Sequence, residues 1–213
     1  MHSALVHIPA GRATIEGMLQ LPEGANGLVL FAHGSGSSRH SPRNNYVAGV
    51  LRAARVGTLL MDLLTPEEDA DYARRFDIGL LTRRLLDAAR WAGEQDETQA
   101  LPLGFFGAST GAAAALEAAA ALGPRARAVV SRGGRPDLAS AQALAAVTAP
   151  TLLLVGGYDD IVISLNQQAY DQLRCRKEFV IVPGATHLFE EPGTLEAVAA
   201  HAAGWFAEHL PVR

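Results

Sequence analysis

Hydrophobic positions along the chain fall into short runs separated by segments of longer period. Residues 14–21, TIEGMLQL, set Ile15, Gly17, Leu19 and Leu21 against more polar neighbours, the two-residue period of a half-buried strand. ALVHIP precedes this segment across AGRA, so the pattern predicts an opening antiparallel hairpin. The runs that follow lack polar alternation: GLVLFAH (27–33), GTLLMDL (57–63), LPLGFFG (101–107), RAVVSR (127–132), APTLLLVGG (149–157) and EFVIVPG (178–184). Such runs suit strands of a parallel sheet that is covered on both faces.

Helical periods lie between the runs. Asp77 is placed to cap a helix with Ile78, Leu81, Leu85 and Ala88 on one face, stopping near Gly93. After Ile163, Leu165, Ala169 and Leu173 line a second helix, and Leu195, Val198, Ala202, Phe206 and Leu210 line a terminal one. Alternating strands and helices predict an α/β fold, an open doubly wound and mostly parallel sheet with right-handed crossovers. No repeat or composition break divides the chain, so residues 1–213 are expected to form a single domain. The Gly- and Ser-rich HGSGSSRHSPRNN lies between strand and helix in mid-domain. Ligands of such sheets bind at the carboxyl ends of the strands, which is where chemistry is sought.

Composition narrows the picture. With 213 residues, 49% of them hydrophobic, the chain can bury a large core. A net charge of -4 and a pI of about 6.0 give nothing to recruit nucleic acid. No Gly-Lys-Ser/Thr follows the glycines of HGSGSS, which excludes a phosphate-binding P-loop. MHSALVHIPAGRATIEG lacks the basic and apolar regions of a signal peptide. Gly111 to Leu122 is too short to span a bilayer and is interrupted by Glu117. Cys175 is the single cysteine and is expected to be structural, and a cytoplasmic location is expected.

The candidate chemistry begins at Gly107-Ala108-Ser109-Thr110-Gly111, between an apolar run and an alanine-rich helix. A serine flanked by small residues at a strand-to-helix turn has the form of a nucleophile elbow. The end of APTLLLV carries Asp159 and Asp160 in GGYDDIV, and the end of EFVIV carries His187 in PGATHLF. Serine, then Asp159 or Asp160, then histidine is the chain order of an α/β-hydrolase triad. A neutral imidazole must take the hydroxyl proton, and a carboxylate must fix its tautomer. Backbone N–H groups of Thr110 and of Ser35 in FAHGSGSS are the expected oxyanion hole, with His33 shaping that loop rather than acting as a base.

FAHGSGSS, GASTG, VGGYDDIV and PGATHLFEEPG together resemble the dienelactone hydrolase-like branch of the α/β-hydrolase superfamily, from about Gly27 to the terminal helix. That resemblance implies an acid within Gly-x-x-Asp-x-x-Val, which Gly156, Asp159 and Val162 match, so it selects Asp159. Dienelactone hydrolase itself carries cysteine in the elbow where this chain has Ser109, so its substrate does not transfer. The expected activity is cleavage of an ester or thioester of a small or medium substrate at an open site without a large lid. No metal or organic cofactor is expected. A peptidase or acyltransferase on the same triad, and a binding protein without catalysis, are the alternatives. Arg39, Arg43, Arg132 and Arg135 lie in two loops expected at the same edge and are candidate contacts for a substrate anion. The oligomeric state is not encoded in any motif.

Overall fold

The computed structural model describes residues 1–210. Two opening strands, β1 (His2–Ala10) and β2 (Ala13–Leu21), form the antiparallel hairpin, with Ile8 opposite Ile15. Six further strands follow: β3 (Leu28–Ala32), β4 (Gly57–Met61), β5 (Leu103–Ala108), β6 (Ala126–Arg132), β7 (Thr151–Gly156) and β8 (Lys177–Val182). The sheet order is β1-β2-β4-β3-β5-β6-β7-β8, parallel from β4 through β8. β2 joins β4 antiparallel, so the hairpin extends one edge of a doubly wound sheet.

Alternate residues of the central strands face opposite layers. Leu28 and Leu30 of β3, Leu59 of β4, Phe105 of β5 and Val129 of β6 pack beneath α3 (Ile78–Glu94), α4 (Thr110–Leu122), α5 (Ala141–Ala146) and α6 (Asp160–Gln172). Val29, Phe31, Leu60, Phe106 and Val130 pack instead against α1 (Pro42–Ala53) and α7 (Thr194–His209). A two-faced core of this kind requires continuous apolar strands, because both faces of each strand leave water. β8 departs from that rule. It is the last strand, and Ile181 is 47% exposed, so an apolar run at the sheet edge is only half covered.

The helices start where side chains can satisfy orphan amides. Asp77 accepts from the Leu80 amide at 2.9 Å and opens α3, whose Leu81, Leu85 and Ala88 are buried. Ser41 caps α1, with Pro42 at the first helical position, so PRNN at the end of the Gly/Ser-rich stretch is already helix. A short α2 (Pro66–Asp69) begins with a reciprocal capping box between Thr65 and Glu68. α6 starts earlier than the apolar period suggested, and its buried positions include Val162, Asn166 and Ala169. Among the described residues no helix is long and apolar enough to cross a membrane.

Candidate active site

Ser109 stands between β5 and α4 with φ 50° and ψ −123°, a backbone conformation that a non-glycine residue seldom adopts. Two contacts hold that turn in place: the Ser109 carbonyl accepts from Ala112 N at 3.1 Å and from Arg135 N at 2.9 Å. The flanking glycines permit the close approach. A β-carbon on Gly107 would lie 2.4 Å from Ala112 Cα, and one on Gly111 would lie 2.1 Å from the Ala32 carbonyl oxygen. The sharp strand-to-helix turn therefore depends on having no side chain at either position.

Asp159 precedes α6 at the N-cap position, yet its side chain caps nothing. Its carboxylate instead meets the imidazole of His187, Oδ2 to Nδ1 at 2.6 Å. That pairing orients the ring and leaves its Nε2 for another partner. His187 lies in the turn between β8 and α7. Thr186 beside it donates its amide and hydroxyl to Glu191 at 3.1 and 2.6 Å. Those bonds, the hydroxyl's first, hold the Glu191 carboxyl below its ordinary value of 4.5. Asp160 begins α6 and is exposed, without contact to the histidine.

A cavity of about 260 Å³ opens between these elements, lined by Ser109, His187, Ser35 and Arg132 among others. The loop after β3 closes one side: a β-carbon on Gly34 would stand 3.0 Å from Ser109 Cβ. On another side Gly133 passes beneath the histidine, where an added β-carbon would stand 3.6 Å from His187 Nδ1. Thr110 is the first residue of α4, a position whose N–H has no intrahelical partner. Larger clefts lie elsewhere: one of about 340 Å³ is lined by Ala92, Leu101, Leu122 and Arg125, away from the strand ends that carry Ser109, Asp159 and His187.

His33 is buried and doubly bonded. Leu63 N–H donates to Nε2 at 3.0 Å, which puts the ring proton on Nδ1, and Nδ1 donates to the Gly34 carbonyl at 2.9 Å. Burial outweighs that carbonyl and pushes the imidazole below its ordinary 6.5. Both nitrogens are occupied, so His33 ties the Gly34 loop to the end of β4 and has none left for a substrate.

The four arginines separate. Arg39 is held by Asp62 and by Glu16 at 2.6 Å, and Arg135 forks onto Asp137 at 2.9 and 2.8 Å. Local carboxylates thus occupy both, and neither is among the residues that line the cavity. Arg43 and Arg132 do line it. Arg43 pairs with Glu190 at 3.3 Å, across from α1 to the histidine loop. Arg132 donates from Nη2 to Asn44 Oδ1 at 3.3 Å. Burial, then the nearby Arg43 charge, lowers its guanidinium to about 10, still protonated at neutral pH. Ser41 and Asn44, in the Gly- and Ser-rich stretch between β3 and β4, also line the cavity; the Ser-Pro pair that starts α1 is the signal that places them.

A dienelactone hydrolase of Anabaena variabilis is similar over almost its full length: 55% identical, covering 98% of each chain, with a TM-score of 0.94. The chain belongs to the dienelactone hydrolase-like family. Two more distant structures share the α/β-hydrolase fold of this family member. Est1E from Butyrivibrio proteoclasticus is 16% identical over 97% of this chain and 98% of its own, with TM-score 0.83. The esterase domain of a Rhodothermus marinus protein is 18% identical over 98% and 99%, with TM-score 0.79. Among curated proteins, this dienelactone hydrolase-like chain is 57% identical over 205 residues to one from Mycobacterium tuberculosis that is provisionally named a phosphoribosyl transferase. The match covers 96% of this chain and 46% of that relative, so the chain spans about half the relative's length. No family model matches the chain.

Proposed function

We propose that this chain is a serine hydrolase that cleaves an ester or thioester of a small or medium substrate through an acyl-enzyme. The observation that carries the reading is one cavity lined by both Ser109 and His187, with Asp159 2.6 Å from the imidazole's other nitrogen. In the proposed cycle Ser109 Oγ attacks the acyl carbon as its proton passes to His187 Nε2. The carbonyl electrons move onto oxygen, held by the amides of Thr110 and Ser35. The intermediate collapses, the C–O or C–S bond breaks, and His187 returns the proton to the leaving alcohol or thiol. Water then repeats the sequence on the acyl-serine, with His187 again taking and returning a proton. Asp159 keeps the ring in the required tautomer throughout and steadies its charged form.

A fluorophosphonate tests the assignment. It should label Ser109 stoichiometrically, and Ser109→Ala should abolish labelling and lower kcat by several powers of ten, as loss of a triad nucleophile does. Label at another residue, or undiminished turnover in the variant, would remove Ser109 from the mechanism. The name of the M. tuberculosis relative favours phosphoribosyl transfer as a second reading. Turnover of a 5-phosphoribosyl donor by the unlabelled chain, unaffected by Ser109→Ala, would favour that reading instead.

A further inference from the structure

Arg132 is 8% exposed and has two nitrogens, Nε and Nη1, without a hydrogen-bond partner. Among the described residues no carboxylate pairs with it; its one hydrogen bond goes to a neutral amide oxygen, and the Phe189 ring lies 6.0 Å from its guanidinium carbon. A buried cation left in that state is costly, because burial removes water without supplying a counter-charge. Arg43 adds a second guanidinium on the same cavity, and its Nε is likewise buried without a partner. Among the described residues its one carboxylate partner, Glu190, is 3.3 Å away and mostly exposed. The amino end of α1 faces the same space through Ser41, Arg43 and Asn44. Pro42 has no N–H, and the Asn44 amide is taken by Ser41 Oγ at 3.3 Å. The Arg43 amide is the first-turn donor that remains, and the Ser41 hydroxyl, already an acceptor, keeps its own proton to donate.

We propose that Arg132, Arg43 and the amino end of α1 form a subsite, beside Ser109, for a phosphoryl dianion carried by the ester substrate. The donor set decides the chemistry. A carboxylate has two oxygens and one charge, whereas two guanidinium cations, Arg132 and Arg43, line this one cavity together with the amino end of α1. A terminal phosphoryl group, with three oxygens and two charges, matches the paired cations. Helix amino ends and guanidinium forks both suit it. The subsite rests on the serine hydrolase reading for its role in turnover, while binding of the anion is independent of it.

The test compares three 4-nitrophenyl esters of matched chain: butanoate, monoglutarate and 4-phosphonobutanoate, in mildly alkaline buffer where the phosphonate carries two charges. The intact protein should show kcat/KM for the phosphonate ester roughly ten- to a hundredfold above the neutral ester, and above the carboxylate ester. Arg132→Gln should bring the phosphonate-to-neutral ratio close to one, with Arg132→Lys restoring part of it and Arg43→Gln lowering it. Should Arg132→Gln fail to fold, the lysine and Arg43 variants decide. In parallel, Ser109→Ala is titrated with 4-phosphonobutanoate by calorimetry. Binding lost on adding Arg132→Gln or Arg43→Gln supports the subsite even where no ester turns over, which would count against the hydrolase reading alone. Equal kcat/KM for all three esters without calorimetric binding overturns the proposal, as does a carboxylate ester that matches the phosphonate. Inorganic phosphate that binds as tightly as the phosphonate and inhibits butanoate turnover without competing with it would also overturn it, in favour of a site for free phosphate.

Discussion

Burial keeps the His33 imidazole neutral in a single tautomer, with Leu63 N–H on one nitrogen and the Gly34 carbonyl on the other. Its folded-state value lies below the ordinary 6.5, so the unfolded chain binds the extra proton first as pH falls. This contribution is fully present above 6.5 and is lost as pH drops towards the folded value. The melting temperature should therefore fall between about pH 8 and about pH 5 by more in the parent than in His33→Gln, each measured against itself. Identical falls would mean that the ring is protonated in place. Two neighbouring carboxylates give a second residue-scale test. Asp159→Asn should lower kcat by roughly three to four powers of ten, because the imidazole loses the partner that fixes its tautomer. Asp160→Asn should stay close to the parent, since its side chain is exposed at the start of α6. The reverse ranking in ester assays would move the acid by one residue.

Elements that announce themselves by apolar period were readable from the chain, and those held by polar contacts were not. α3 combines a capping aspartate with a clean apolar face, and its start and buried side follow from that alone. α1 hides its start in PRNN, and one of its buried positions is Asn44, whose oxygen faces Arg132 rather than a hydrophobic core. α6 misleads in the opposite sense. Ile161 is 76% exposed while Asn166 is fully buried, its amide donating to the Gly134 and Val162 carbonyls. Glycine content also means different things in different elements. At Gly111 an added β-carbon meets backbone 2.1 Å away, so Gly111→Ala should force β3 and α4 apart and sharply lower the urea midpoint. In α7 nothing lies within 4 Å of a β-carbon on Gly204, and Gly204→Ala should stabilise by about 0.5–1 kcal/mol through helix propensity. A midpoint that shifts the same way in both variants would show that backbone clearance does not decide the outcome.

Across the whole molecule, the layer order followed from strand and helix alternation, because buried parallel strands need continuous apolar runs. The serine turn, the aspartate and the histidine were legible for a related reason: each stands at a strand end, marked by glycine or proline. The arginines were not, because a guanidinium reads the same in a sequence whether a carboxylate holds it, as Asp137 holds Arg135, or only the amide oxygen of Asn44 does among the described residues, as for Arg132. The sheet order carries a further consequence, in time rather than space. β5, which presents Ser109, pairs with β3 across α1, β4, α2 and α3, and β8, which presents His187, is the last strand added at its edge. Long loops must close before those pairings return any energy, so folding of this topology is slow relative to helix formation. After dilution from denaturant, far-ultraviolet circular dichroism should recover first, with helices forming within about a microsecond locally. Fluorophosphonate reactivity should lag behind it, since Ser109 and His187 become neighbours only when β5, β6, β7 and β8 have all paired.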